Sequence, residues 1–358
     1  MSIRFSLSRV LSGAFAATSL LACAAPAAAY PASDKDVSRQ VSMGGVCLKC
    51  EFSGKKLLGA RVTRGDFSGS TLIGADLRGS EVFNSRFADC DFSRADLRSA
   101  KLFASSFERS KFSGAEMAGL EARGGRFMGA VLMNAKLQST GLTGADFTDA
   151  QMQGAVLTSA ELQGANFTNV EGKGANFTST NLQAARFARS RFERAQFQGA
   201  EMQGAQLDGA FEAANFQGAE LQGARLAGRF DRAQFQGAEM QGARFTSGSF
   251  AGATFEGAEL DGADLRGADL SASRGLDQDQ LENTCTDGST RLPRGLKAQG
   301  CHRPIAPPMP PMPVLAFSGH GGPQGFHMNG TINGREIHIN IPAPPAPPAP
   351  PAPPAKVK

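Results

Sequence analysis

Leu72-Ile73-Gly74-Ala75-Asp76-Leu77-Arg78-Gly79-Ser80-Glu81-Val82 sets the measure of this chain: a large apolar residue returns at every fifth position, with a small residue two places before it. Outward from this stretch the large positions are Phe52, Leu57, Val62 and Phe67 on one side and Phe87, Phe92 and Leu97 on the other, continuing in fives to Leu207. Ala60, Gly65, Ser70, Ser85, Cys90 and Ala95 fill the small positions. The residue between is often acidic or an amide, as in Ala165-Asn166-Phe167 and Ala263-Asp264-Leu265. Neither the helical period of 3.6 nor the strand period of 2 yields a period of five. A fixed short period marks a solenoid, whose units bury their side chains only by stacking on their neighbours.

The step shortens to four residues at Phe211 and again at Phe230, and the last large position, Leu270, completes 45 pentads. Arg194-Ala195-Gln196-Phe197-Gln198-Gly199-Ala200-Glu201-Met202 recurs, as an identical stretch, at residues 232–240, 38 residues further on. At Leu120/Ala122 and Val170/Gly172 the large and small residues change places. Such swaps roughly conserve core volume, as close packing requires, so both positions are expected to face inward.

This pattern resembles the pentapeptide-repeat family, whose repeat is A-(D/N)-L-x-x, over more than half of the chain. The resemblance implies an all-β fold, a right-handed quadrilateral β-helix with four pentads per coil. Here that means about 11 coils and, at ~4.8 Å per coil, a rod on the order of 50 Å long.

The organisation follows from composition. Residues 1–29 read as a secretory signal peptide: Arg4 and Arg9 precede an apolar run over 10–22, and Ala27-Ala28-Ala29 offers a cleavage site before Tyr30. Leu20-Leu21-Ala22-Cys23 also resembles a lipoprotein box, so a membrane anchor is expected only if Cys23 is lipidated. An N-terminal cap is expected over 30–46, the repeat β-helix over 47–270, and a C-terminal cap over 271–303 with a short helix at 276–282, where Asp277 and Gln280 have capping-box spacing. Residues 304–358 form a Pro-rich tail, expected to be disordered apart from a small hairpin turning at Asn333-Gly334.

An exported chain permits disulfides. Cys285 and Cys301 flank the C-terminal cap and are a candidate pair. Cys47 and Cys50, spaced C-x-x-C, invite a redox or zinc reading, but their register turns both toward the first coil, where a bond between them would tie off the end. Family members often begin their repeats with such a pair, which favours the structural role. Cys90 occupies a small position and reads as a substitute for alanine.

Little points to catalysis. Twenty of the 26 Phe fall on large positions, which makes them packing residues. All four His, at 302, 320, 327 and 338, lie beyond the repeats, and no nucleophile–base pair emerges. No catalytic residue and no cofactor is assigned, and an enzyme is not expected. Met309, Met312 and the tail His are soft and imidazole ligands that suit copper, but lack tight ligand spacing.

Some family members protect DNA gyrase by presenting a DNA-like acidic rod. With 24 basic and 25 acidic residues across 52–270 the rod here is near neutral, so nucleic-acid mimicry is the alternative rather than the first reading. Two surface features break the pattern. Phe83 and Phe103 occupy outward positions 20 residues apart, which stacks them on one face at four pentads per coil, with Ile73 as a neighbour on the adjoining face. Arg186, Arg189, Arg191 and Arg194 form a basic corner. The first reading is an exported scaffold or protein-interaction surface, whose partner is a protein, an anionic envelope polymer or a second copy.

Overall fold

The computed structural model describes residues 45–246 and 248–301, together with the backbone of Ser318–Gly322, Gly325–Ile332 and Arg335–Pro342. The expected leader, including Cys23, residues 30–44 of the expected N-terminal cap, Met309, Met312 and His302 lie outside the described residues, as do the side chains of His320, His327 and His338, while Val46, expected in the cap, already pairs with the next coil.

Coils pair in parallel at a register of 20 residues, beginning with Val46 on Asp66, so four pentads make one turn. Each pentad supplies the same bonds. Leu57 N–H donates to Asp76 O of the next coil (2.7 Å), Gly59 N–H donates to Arg78 O (3.0 Å), and Ala60 N–H closes the corner onto Leu57 O (3.0 Å). These bonds satisfy the backbone, which buried N–H and C=O groups require. Because usually one residue per pentad lies in a bridge, regular strands are rare. They are β1 (Arg61–Thr63), β2 (Glu81–Phe83), β3 (Lys101–Phe103), β4 (Ser190–Arg191), β5 (Gln206–Leu207), β6 (Gly209–Ala210) and β7 (Arg225–Leu226).

The residue between small and large positions has a structural task. Its carboxylate or amide oxygen accepts the N–H two residues on, as Asp66 does from Ser68 (3.1 Å), Asn176 from Thr178 (2.9 Å) and Asp269 from Ser271 (3.1 Å). That bond pins the corner, the usual way short polar side chains stabilise a turn. Glycine is frequent two places after the large residue because that site has positive φ, +65° at Gly54.

Four rows of core residues result, named here by their first members Phe52, Leu57, Val62 and Phe67. The Phe67 row stacks Phe67, Phe87, Phe107, Phe127, Phe147, Phe167 and Phe187, with successive ring centroids 4.8–5.4 Å apart. All twenty large-position Phe are buried. So are Leu120, Ala122 and Val170, and Phe192 fills the space beside Gly172, so the swapped pairs do conserve core volume.

The register drops to 19 at Ser190–Gly209 and stays there through Arg225–Arg244, returning to 20 at Arg229–Ser249. The two four-residue steps therefore stack at one corner. A Cβ on Gly209 would collide with the Ser190 backbone, and one on Gly228 with that of Gly209. Glycine is required because the shortened corners bring backbones together.

After Leu270 the chain continues to pair, Asp264 with Cys285 and Asp269 with Arg291. The helix expected at 276–282 is instead a 3-10 turn, Asp279–Leu281. The capping-box bonds are nonetheless made: Gln280 N–H donates to Asp277 Oδ1 and Asp277 N–H to Gln280 Oε1, both at 2.9 Å. Gln280 Nε2 meanwhile donates to the carbonyls of Phe255 and Ala258 below it (2.8 Å each), which ties this turn to the preceding coil and leaves no need for a longer helix. In the tail, β8 (Ser318–Gly322), β9 (Gly325–Ile332) and β10 (Arg335–Pro342) form an antiparallel sheet in which Arg335 faces Ile332 across positions 333–334.

Candidate functional site: the charged and aromatic rows

The surface consists of columns, so a residue's environment is decided by what stands 19 or 20 places away. Phe83 and Phe103 are aligned across β2 and β3 and stack with centroids 5.7 Å apart. Their position is less open than expected: both are half-buried, each ring covering its neighbour, and Ile73 on the adjoining face is half-buried as well. The more exposed large apolar residues are Val46, Leu48, Leu58 and Met133, three of them at the first coil.

Cys47 and Cys50 are half-buried against the end of the core, with sulfurs at bonding distance and Cα atoms 5.7 Å apart. The Cys285 and Cys301 sulfurs also lie at bonding distance, with Cα atoms 4.4 Å apart. Cys90 is buried, and burial pushes its thiol up to about 12. It holds the site that Ser70 and Ser110 hold in adjoining coils, each using its side chain to bond a carbonyl of the preceding coil.

The carboxylates are mostly committed locally. Arg78, Arg98 and Arg266 donate to Asp76, Asp96 and Asp264 respectively, and these hydrogen bonds hold each carboxyl below the usual aspartate range. Asp287 accepts from the hydroxyl of Ser289 (2.6 Å), from Thr290, and from backbone N–H groups, which lower it to about 2. Among the described residues, no group of three or more His, Cys, Asp or Glu is arranged to hold a metal ion.

The four arginines of the expected corner are all exposed. Arg191 pairs with Glu171 (3.2 Å), while Arg186, Arg189 and Arg194 make no ion pair among the described residues. Sequence reasoning missed how far this asymmetry extends. In 181–250 all eight cationic residues lie on the Phe67 and Phe52 rows, adding Arg225, Arg229, Arg232 and Arg244 to the four. The Val62 row carries the opposite sign: Glu201, Glu220, Glu239 and Glu259 stack in successive coils. A column of glutamines braces them, with Gln222 Nε2 donating to Glu239 (2.6 Å), Gln203 to Glu220 and Gln241 to Glu259. Reading the sequence by columns, with 19-residue steps from Ser190–Gly209 to Arg225–Arg244 and 20 elsewhere, would have exposed both features.

A profile described as "Pentapeptide repeats" matches successive segments between residues 90 and 248, and a second profile of the same description matches 230–274. No curated protein sequence matches this chain. Among solved structures, HetL, a pentapeptide repeat protein involved in heterocyst differentiation regulation from the cyanobacterium Nostoc sp. strain PCC 7120, is 22% identical over 63% of this chain and 89% of its own, with a TM-score of 0.37. QnrB1, a plasmid-mediated fluoroquinolone resistance protein, is 23% identical over 68% of this chain and 93% of its own, with a TM-score of 0.24. A pentapeptide repeat protein from the Arabidopsis thaliana thylakoid lumen is 21% identical over 40% of this chain and 75% of its own, with a TM-score of 0.13.

Proposed function

The chain belongs to the pentapeptide-repeat family, and on that premise we propose that it is an exported, non-enzymatic scaffold that presents rows of side chains to a partner. In this reading the rod is a right-handed quadrilateral β-helix of about 11 coils. The 3-10 turn and the chain after it close its far end, and the Cys47–Cys50 and Cys285–Cys301 disulfides secure the two ends in an oxidising compartment.

One observation carries the reading. Carboxylates that acid–base chemistry would need are turned back onto their own corners, accepting the N–H two residues on, while the outward groups form long columns instead of a convergent site. The stacked glutamates of the Val62 row favour the alternative, a DNA-mimicking topoisomerase protector. Against it, the same coils carry eight arginines on the Phe67 and Phe52 rows, interleaved with Glu193, Asp208, Glu212 and Asp231, so the rod is mixed in charge instead of uniformly acidic.

Crosslinking and pull-down from intact cells, with the N-terminus read by mass spectrometry, tests the proposal. A processed N-terminus after residue 29 or at Cys23, and a crosslinked envelope partner, are expected. An intact N-terminus at Met1 in the cytoplasm, with a topoisomerase recovered, would overturn it.

A further inference from the structure

The stretch that recurs at 194–202 and 232–240 is, in the fold, a complete crossing of one face. Its arginine stands at the corner between the Phe52 and Leu57 rows and its two glutamines lie outward on the Leu57 row. Its glycine turns the next corner, and its glutamate opens the Val62 row. The coil between repeats the plan, with Ala213 for the arginine and Asn215 for the first glutamine.

Between these edges the face carries no charge over five coils. Val156, Asn176, Gln196, Asn215 and Gln234 form one column and Thr158, Thr178, Gln198, Gln217 and Gln236 the other, with only serine or glycine at the following corner. Each of the other three faces bears charged side chains at these levels. All ten column residues are buried or half-buried, so the face is smooth, and Gln198, Gln234 and Gln236 make no side-chain hydrogen bond among the described residues. Amide columns on a flat sheet face can pack on an equivalent face and hydrogen-bond there without burying a charge.

We propose that this face pairs with the same face of a second copy, the two rods lying side by side and pointing the same way. A two-fold axis parallel to the rods sets the first column of one copy against the second column of the other. It also brings the edge bearing Arg194 and Arg232 beside the partner's edge bearing Glu201 and Glu239, across the side-chain-free corners Gly199 and Gly237. Rods pointing opposite ways would set the two glutamate edges together, which repel. Arg194 and Arg232 have no ion pair among the described residues and are free to reach across. Acids do stand beside them: Glu193 and Asp231 one place earlier, and Glu212 in the coil between. Glu212 is held by Arg229 (2.9 Å), and Asp231 by Ser249 and the Ala251 N–H. The match therefore lies in two arginines meeting two glutamates and not in a net field. The neutral face measures about 24 Å by 10 Å, small for an interface, so the dimer is expected to be reversible. This names a partner for the proposed scaffold and does not depend on export.

Sedimentation velocity and small-angle scattering of the full chain as isolated from cells, at up to about 200 µM, test it. A dimer of doubled cross-section and unchanged length is expected. Arg194→Glu with Arg232→Glu should raise its dissociation constant at least about tenfold, and so should Glu201→Arg with Glu239→Arg. All four changes together should bring it back to within about threefold of the parent, because each edge again meets its opposite. Within one chain the two edges lie on either side of the face, so recovery reads a contact between copies. Gln198→Lys with Gln217→Lys places charge inside the interface and should leave a monomer. All these side chains lie outside the core, and matched melting curves verify the fold. A monomeric parent, a dimer of doubled length, or a dimer indifferent to Gln198→Lys with Gln217→Lys would overturn the proposal. A four-fold variant that fails to recover would overturn the parallel arrangement. A monomer that still crosslinks an envelope partner leaves the exported scaffold standing, so the two readings fail separately.

Discussion

Phe192 leans its ring into the space that a side chain at Gly172, one coil below, would fill. The glycine stands at a large position and Val170, two places earlier, supplies bulk from the small one, so the ring and the valine together replace the missing residue. Gly172→Ala should therefore overpack the core and cost about 1–3 kcal/mol. The additional change Phe192→Leu should recover part of that loss. Urea midpoints of the three proteins check this, and a Gly172→Ala chain as stable as the parent would refute the packing account.

Gly228 over Gly209 makes a different demand, because there the obstacle is backbone. Gly218 is the comparison: it has φ +61° but nothing within 4 Å of an added Cβ. Gly218→Ala should cost about 1–2 kcal/mol, the price of a left-handed backbone at a non-glycine residue. Ser179 and Ala213 already tolerate such a site at φ 54°. Gly228→Ala should cost clearly more, since a carbonyl cannot swing aside as a side chain does. Melting temperatures of the two variants, measured together, decide it.

Much of this was legible in the chain because the five-residue period assigns inward and outward positions without reference to anything distant. It placed Phe87, Leu120 and Cys90 in the core, and they are buried. It also placed Phe83 over Phe103. What it obscured lies between coils. The glutamate column at 201, 220, 239 and 259 depends on how each step of 19 or 20 aligns residues that are remote in sequence. The 3-10 turn at Asp279–Leu281 escaped for a similar reason, since its shape is set by Gln280 reaching carbonyls 22 and 25 residues earlier.

The Phe83–Phe103 stack can serve as a partner surface or only as a stiffening ladder. Phe83→Ser with Phe103→Ser should leave the fold intact, because both rings lie outside the core, while removing an aromatic pair of about 0.5–1.5 kcal/mol. As a partner surface it predicts loss of a crosslinked partner or of self-association in the double variant. Unchanged partners and unchanged oligomer mass would leave the ladder alone.

Acid should loosen the C-terminal end through Asp287. Its carboxyl lies at about 2 in the folded chain against an ordinary 3.8, because it accepts from Ser289, Thr290 and nearby N–H groups only when folded. A depressed folded value means that the stabilisation is fully present above the ordinary value and is lost as pH falls through the folded one. The difference in melting temperature between the parent and Asp287→Ala should be largest near about pH 7 and shrink between about pH 4 and 2. A gap that does not change with pH would show that Asp287 acts through shape and not through charge.

Cys90 offers a test of the interior columns. Its Sγ donates to Phe67 O at 3.0 Å, and its own N–H donates to Ser110 Oγ at 3.1 Å. Burial holds the thiol at about 12, so the reactive thiolate is scarce at neutral pH and the sulfur is out of reach. Native protein should resist alkylation at Cys90 and become labelled only on unfolding, as mass spectrometry of iodoacetamide-treated samples would reveal. Cys90→Ser should be nearly neutral, because a hydroxyl can accept the place that Ser70 and Ser110 hold in the same column. Cys90→Val should be the damaging change: it lacks the donor and leaves the Phe67 carbonyl with only the Ser70 N–H (3.0 Å). It also adds a branch beside a full-size Phe92, whereas Val170 in the same column is offset by Gly172. Rapid labelling of the folded rod, or a Cys90→Val chain as stable as Cys90→Ser, would show that this column is neither closed nor held by its hydrogen bonds.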